Sequence, residues 1–197
     1  MIGKTAMFRI PALITVGCGA VETVGAEAKR LGGTRVFVVG DPNLQKLGVT
    51  EKILASLAAQ GIESSLYTAV EFEPSVQRVE AAAAAAREFA CDLVVGLGGG
   101  STMDTAKAAA LLARNPGSLE DYLGIGLAKQ RSVPSILIPT TSGTGAEITP
   151  NALFYVPAVQ EALTADYATV EAALPTWMKS SVIASNNVSP QQVAAVH

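Results

Sequence analysis

The sequence predicts an α/β fold: a doubly wound parallel sheet with helices on both faces. Three observations carry this reading. Short apolar runs alternate with stretches whose apolar residues recur at helical spacing. Glycine pairs and Gly-Asp-Pro or Pro-Thr steps punctuate the boundaries between them. The run from Leu93 to Lys107 passes from an apolar strand through Gly98-Gly99-Gly100 directly into a helix. Parallel strands need crossover connections, and helices used as crossovers cover both faces of the sheet.

Taken in order, Phe8 to Val16 is apolar, broken by Pro11, and reads as an edge strand or hairpin. Val21 to Leu31 reads as a helix closed by Gly32-Gly33. Arg35 to Val39 is a buried strand ending at Gly40-Asp41-Pro42. Val49 to Gln60 carries Val49, Ile53, Leu54 and Leu57 on one helical face and stops at Gly61. Ile62 to Ala69 is a strand. Ser75 caps a helix through Ala90, and the alanine run Ala81 to Ala86 within it suits close packing. Leu93 to Leu97 is the next strand, Ser101 to Ala113 the next helix, and Ser135 to Ile138 a strand closed by Pro139. Beyond Val156 the pattern weakens, with a helical stretch read over Glu161 to Leu174. The expected organisation is an α/β domain over 1–155 and a divergent tail over 156–197.

Composition narrows the possibilities. Apolar residues make up 49% of the 197 and charged residues 16%, enough for a packed core. The net charge of −3, with no basic stripe, argues against nucleic acid as a partner. The N-terminal residues lack a secretory apolar core, and no apolar run is long enough to span a bilayer. Cys18 and Cys91 have no metal-site spacing. The expectation is therefore a cytoplasmic protein with two reduced, partly buried thiols.

In an open parallel sheet, ligands bind beyond the carboxyl ends of the strands. Three loops fall at that edge. Gly98-Gly99-Gly100-Ser101 lets backbone N–H groups approach an anion, with the positive end of the following helix facing it. Ser101 with Asp104 also reads as a plain capping box. Asp41, after a strand end, suits a ribose diol and would repel a 2′-phosphate; it is equally a turn-forming Asp before Pro. Thr140, Thr141, Ser142 and Thr144 offer four hydroxyls to a diphosphate or ribose, or form an ordinary Ser/Thr turn. Gly17-Cys18-Gly19 before a helix is a decoy: it lacks a third glycine and puts Glu22 where a pyrophosphate would lie.

Together, three segments resemble the iron-containing (group III) alcohol dehydrogenases. Gly98 to Lys107 is similar to their GGGSxxDxAK signature. Pro139 to Thr149 resembles their PTTxGTGxExT segment, and Gly40-Asp41-Pro42-Asn43-Leu44 their strand end with an NAD-selecting aspartate. The resemblance covers about residues 8–155. It implies a Rossmann-like dinucleotide-binding domain for NAD, with NADP disfavoured. Gly98, Gly99, Gly100 and Ser101 would hold the pyrophosphate and Asp41 the adenosine ribose. Thr140, Thr141 and Thr144 would line the dinucleotide, with Ser142 and Thr149 of the same segment counted beside them. Asp104 would lie near the nicotinamide.

The resemblance also implies hydride transfer between a small alcohol or aldehyde and the nicotinamide, and a helical domain where one Asp and three His hold Fe2+ or Zn2+. Here the sequence departs: its one histidine is His197. Neither the metal domain nor a lysine soon after the Thr-rich loop is recognisable. The chain thus reads as the cofactor half of such an oxidoreductase, truncated, with no catalytic or metal residues to assign and no metal expected on it. The alternative is a non-catalytic dinucleotide-binding module or a structural remnant. Asp104, Lys107 and Glu147 form a possible polar patch. Apolar surface left uncovered predicts a homo-oligomer.

Overall fold

The computed structural model describes residues 11–124 and 126–155. Four parallel strands, β1 (Arg35–Gly40), β2 (Glu63–Tyr67), β3 (Leu93–Gly98) and β4 (Ser135–Pro139), lie in the order β2-β1-β3-β4. Helices α1 (Val24–Arg30), α2 (Pro42–Lys46), α3 (Val49–Ala59), α4 (Val76–Glu88) and α5 (Gly100–Leu112) join them, with 3-10 turns at Ala20–Thr23 and Leu119–Tyr122.

The alternation of side chains along β1 and β3 builds two cores. Val36, Val38, Leu93, Val95 and Leu97 face one side, against Val24 and Ala28 of α1 and Ile53 and Leu57 of α3. Phe37, Val39 and Val94 face the other, against Ala86 of α4 and Ala106, Ala109 and Ala110 of α5. Both faces are covered, as the sequence predicts. The alanines let α4 and α5 approach each other and the sheet. Gly96 completes this: a Cβ there would lie 2.8 Å from the Ala106 Cβ. A third cluster, from Val76, Val79 and Ala83 to Leu112, Leu119 and Phe154, closes the outer side of α4 and α5.

Helix ends follow their sequence signals. Gly32 is left-handed (φ 82°), and the Gly33 N–H donates to Ala28 O at 2.8 Å while the Gly32 N–H donates to Lys29 O at 3.0 Å. This pattern of bonds closes α1. Ser75 caps α4, accepting from the Arg78 N–H at 3.4 Å.

Four expectations need correction. Residues 11–16 form no strand: Leu13, Ile14 and Val16 are 51%, 60% and 88% exposed. Pro11 lacks a ladder donor, and no described strand pairs with this segment. The expected helix over Val21–Leu31 begins as a 3-10 turn and becomes α-helical at Val24. Helix α2 was not anticipated. Of the two cysteines, Cys18 is exposed and Cys91 half-buried. Residues 8–10, the helical stretch over 161–174 and the rest of the 156–197 tail lie outside the described residues.

Candidate nucleotide site

The parallel register brings the three loops to one edge. Gly40 of β1 pairs with Leu97 of β3, and Gly98 pairs with Pro139 of β4. The loops are then stitched at their bases: the Asp41 N–H donates to Leu97 O, and the Thr140 N–H to Gly98 O, each at 3.0 Å.

The glycine turn is shaped by what surrounds it. A Cβ at Gly98 would lie 2.5 Å from Thr102 Oγ1. At Gly99 it would meet Thr141 Oγ1 at 3.4 Å, and at Gly100 the Thr144 Cγ2 at 3.2 Å. The hydroxyl-rich loop therefore stands against the glycine turn.

The expected capping box at Ser101 does not form. Helix α5 starts at Gly100 with Gly99 as its cap, and no side chain bonds its first-turn N–H groups. The Asp104 carboxylate is drawn instead to Lys107, 2.8 Å from its ammonium. The capping box lies elsewhere, at Ser118 and Asp121. Helix α5 thus presents uncapped N–H groups and its positive end at the sheet edge, as anion binding requires.

Of the two roles the sequence left open for Asp41, the structure shows the turn-forming one. Asp41 caps α2, its Oδ1 accepting from the Asn43 N–H at 2.7 Å, with Pro42 in the first helical position. Its second carboxylate oxygen takes no part in that bond. Thr140, Thr141, Ser142, Thr144 and Thr149 are exposed; Thr144 Oγ1 accepts from the Ala146 N–H at 3.3 Å. The polar patch resolves into unequal parts. Asp104 and Lys107 are a buried pair, their side chains 8% and 10% exposed. Glu147 Oε2 is buried with no hydrogen-bond partner among the described residues.

Among the described residues, no strand leads into the Gly17 decoy. Sequence reasoning missed the contacts of Lys107, whose ammonium also donates to the carbonyls of Thr149, at 3.4 Å, and Asn151. The only local signal was the i,i+3 spacing of Asp104 and Lys107.

Residues 11–174 match the family model described as iron-containing alcohol dehydrogenase. The chain belongs to the iron-containing alcohol dehydrogenase family. Among curated relatives, it is 44% identical to the sulfoacetaldehyde reductase of Bilophila wadsworthia over 69% of this chain and 35% of that protein. It is 40% identical to long-chain-alcohol dehydrogenase 1 of Geobacillus thermodenitrificans over 83% of this chain and 42% of that protein. Among solved structures, the sulfoacetaldehyde reductase of Bifidobacterium kashiwanohense in complex with NAD+ superposes with a TM-score of 0.70 and 31% identity, over 77% of this chain and 40% of that one. The chain spans less than half the length of each of these relatives.

The family's name implies a metal. Among the described residues, no group of three or more His, Cys, Asp or Glu side chains is placed to hold one. The described residues do not fit that ion.

Proposed function

We propose that the carboxyl edge of the sheet binds a nicotinamide dinucleotide, NAD in preference to NADP. In this reading the chain is the cofactor-binding portion of an oxidoreductase moving hydride between a small alcohol or aldehyde and the nicotinamide. The observation that carries it is the uncapped start of α5, with Gly99 and Gly100 against Thr141 and Thr144. The amides and helix dipole would hold the pyrophosphate at Gly98, Gly99, Gly100 and Ser101. The free oxygen of Asp41 would accept from the adenosine ribose and repel a 2′-phosphate. Thr140, Thr141, Ser142, Thr144 and Thr149 supply hydroxyls along the dinucleotide, and Asp104 stands toward its nicotinamide end. The NAD+ complex of the Bifidobacterium relative supports the choice of ligand.

A second reading is nucleotide binding without turnover: among the described residues, no group of three or more His, Cys, Asp or Glu is placed to hold a metal. The exposed Leu13, Ile14 and Val16 support self-association of the chain.

Calorimetric titration with NADH and NADPH tests the proposal. Micromolar NADH binding is expected, with NADPH weaker. Asp41→Ala, which removes charge-assisted hydrogen bonds, is expected to weaken NADH by about tenfold and narrow the gap to NADPH. Absence of binding by either nucleotide would reduce the loops to structural turns. Binding without turnover on added alcohol and divalent metal would favour the second reading.

A further inference from the structure

We propose that Lys107 is a positioning residue for the nucleotide, a buried latch that holds the hydroxyl-rich loop over the glycine turn. The inference rests on the nucleotide reading above. An ammonium has three N–H donors. Those of Lys107 are accounted for by Asp104 Oδ1 at 2.8 Å, Thr149 O at 3.4 Å and Asn151 O. With its side chain 10% exposed, Lys107 is turned into the protein.

Phe154 packs the far end of the segment that Lys107 holds into the third cluster, but hydrogen bonds otherwise tie it weakly. The Thr140 N–H anchors the base of the loop on Gly98, and Tyr155 bonds with Pro74 and Val76 at the far end. In between, the Ile148 and Thr149 N–H groups bond back to Gly145, and the Ala146 N–H to Thr144 Oγ1, all within the loop. Among the described residues, Lys107 makes the only hydrogen bonds from residues 141–154 to the rest of the chain. It springs from α5, the same helix whose first turn forms the anion site. A single rigid helix thereby fixes both the amides that meet the pyrophosphate and the hydroxyl loop that faces them. Asp104 completes the latch by neutralising a charge that burial would otherwise penalise.

The test uses the full chain, with NADH and AMP as calorimetric probes. AMP carries the adenosine half, which Asp41 would hold, and needs the hydroxyl loop least. Lys107→Met is expected to weaken NADH by about tenfold or more while AMP changes less than about twofold, and Lys107→Arg to recover most of the NADH affinity. Unchanged NADH affinity in Lys107→Met, or an equal loss of NADH and AMP, overturns the proposal. Hydrogen exchange without nucleotide separates it from the ligand assignment. If the unmodified chain binds no NADH, the nucleotide reading fails, and the latch still requires faster exchange of the Ile148 and Thr149 amides in Lys107→Met. Unchanged exchange there overturns the latch itself. Should Lys107→Met not fold, Lys107→Gln serves in both measurements, since it keeps a donor and loses the charge.

Discussion

The two edges of the sheet use the same kinds of residue to opposite ends. At the amino edge, Asp92 accepts from the Thr34 and Arg35 N–H groups and from the Thr34 hydroxyl. Arg35 there pairs with Glu63, donates to Phe89 O at 3.0 Å and lies 4.5 Å from the Phe89 ring centre. At the carboxyl edge, α5 begins without a side-chain cap, the hydroxyl residues are exposed, and Glu147 Oε2 lacks a partner among the described residues. One edge is closed by its own hydrogen bonds, and the other is left unfinished. Polar groups that satisfy one another stabilise the fold; polar groups left open beside a helix start are available to a ligand.

Breaking the open edge should produce the largest effect. Gly98→Val would place a Cβ 2.5 Å from Thr102 Oγ1. Overpacking there is expected to cost about 2–3 kcal/mol in thermal or chemical unfolding and to abolish measurable NADH binding. Binding retained in that variant would break the link between the glycine turn and the ligand.

The closed edge should behave differently. Burial pushes the Asp92 carboxyl up, but hydrogen bonds from the Thr34 hydroxyl and the Arg35 and Thr34 backbone outweigh it and hold it below the ordinary carboxylate value. A carboxyl lowered on folding stabilises the protein above its unfolded pKa, and that contribution is lost as pH falls through the folded value. Asp92→Asn is therefore expected to lose about 1–2 kcal/mol at neutral pH with NADH affinity unchanged. The stability gap should close in urea melts as pH is lowered below about 4. A fall in NADH affinity would show that the edges are not separable.

The smallest effect sharpens the contrast. Ala90 follows α4 with φ 52°, a left-handed conformation that costs an L-residue, and Cys91 N–H bonds back to Ala86 O at 3.2 Å. Ala90→Gly should stabilise by about 0.5–1 kcal/mol in thermal melts without changing NADH binding.

Much of this was legible because its signals are local. The step from Leu93 through Gly98-Gly99-Gly100 into a helix fixed a strand, a turn and the site's position together. The alternation of elements put the Asp41 and Thr140 loops at the same edge. Helix α2 was also signalled, by Asp41 as cap and Pro42 at the first position, yet its five residues offer no apolar period to read. The apolar run at 11–16 looked like a strand because apolarity does not reveal whether a partner strand exists. The Ser101 capping box failed because Lys107 competes for Asp104, and that pairing depends on burial. The Lys107 contacts to Thr149 and Asn151 join residues 42 and 44 positions apart, so only the packed fold creates them.

Hydrogen exchange with and without saturating NADH tests most directly which edge is the nucleotide site. Protection is expected in peptides covering residues 98–104 and 140–149, with none around Thr34 and Asp92. Protection confined to the Thr34–Asp92 edge, or NADH binding that leaves both carboxyl-edge loops unprotected, would contradict it.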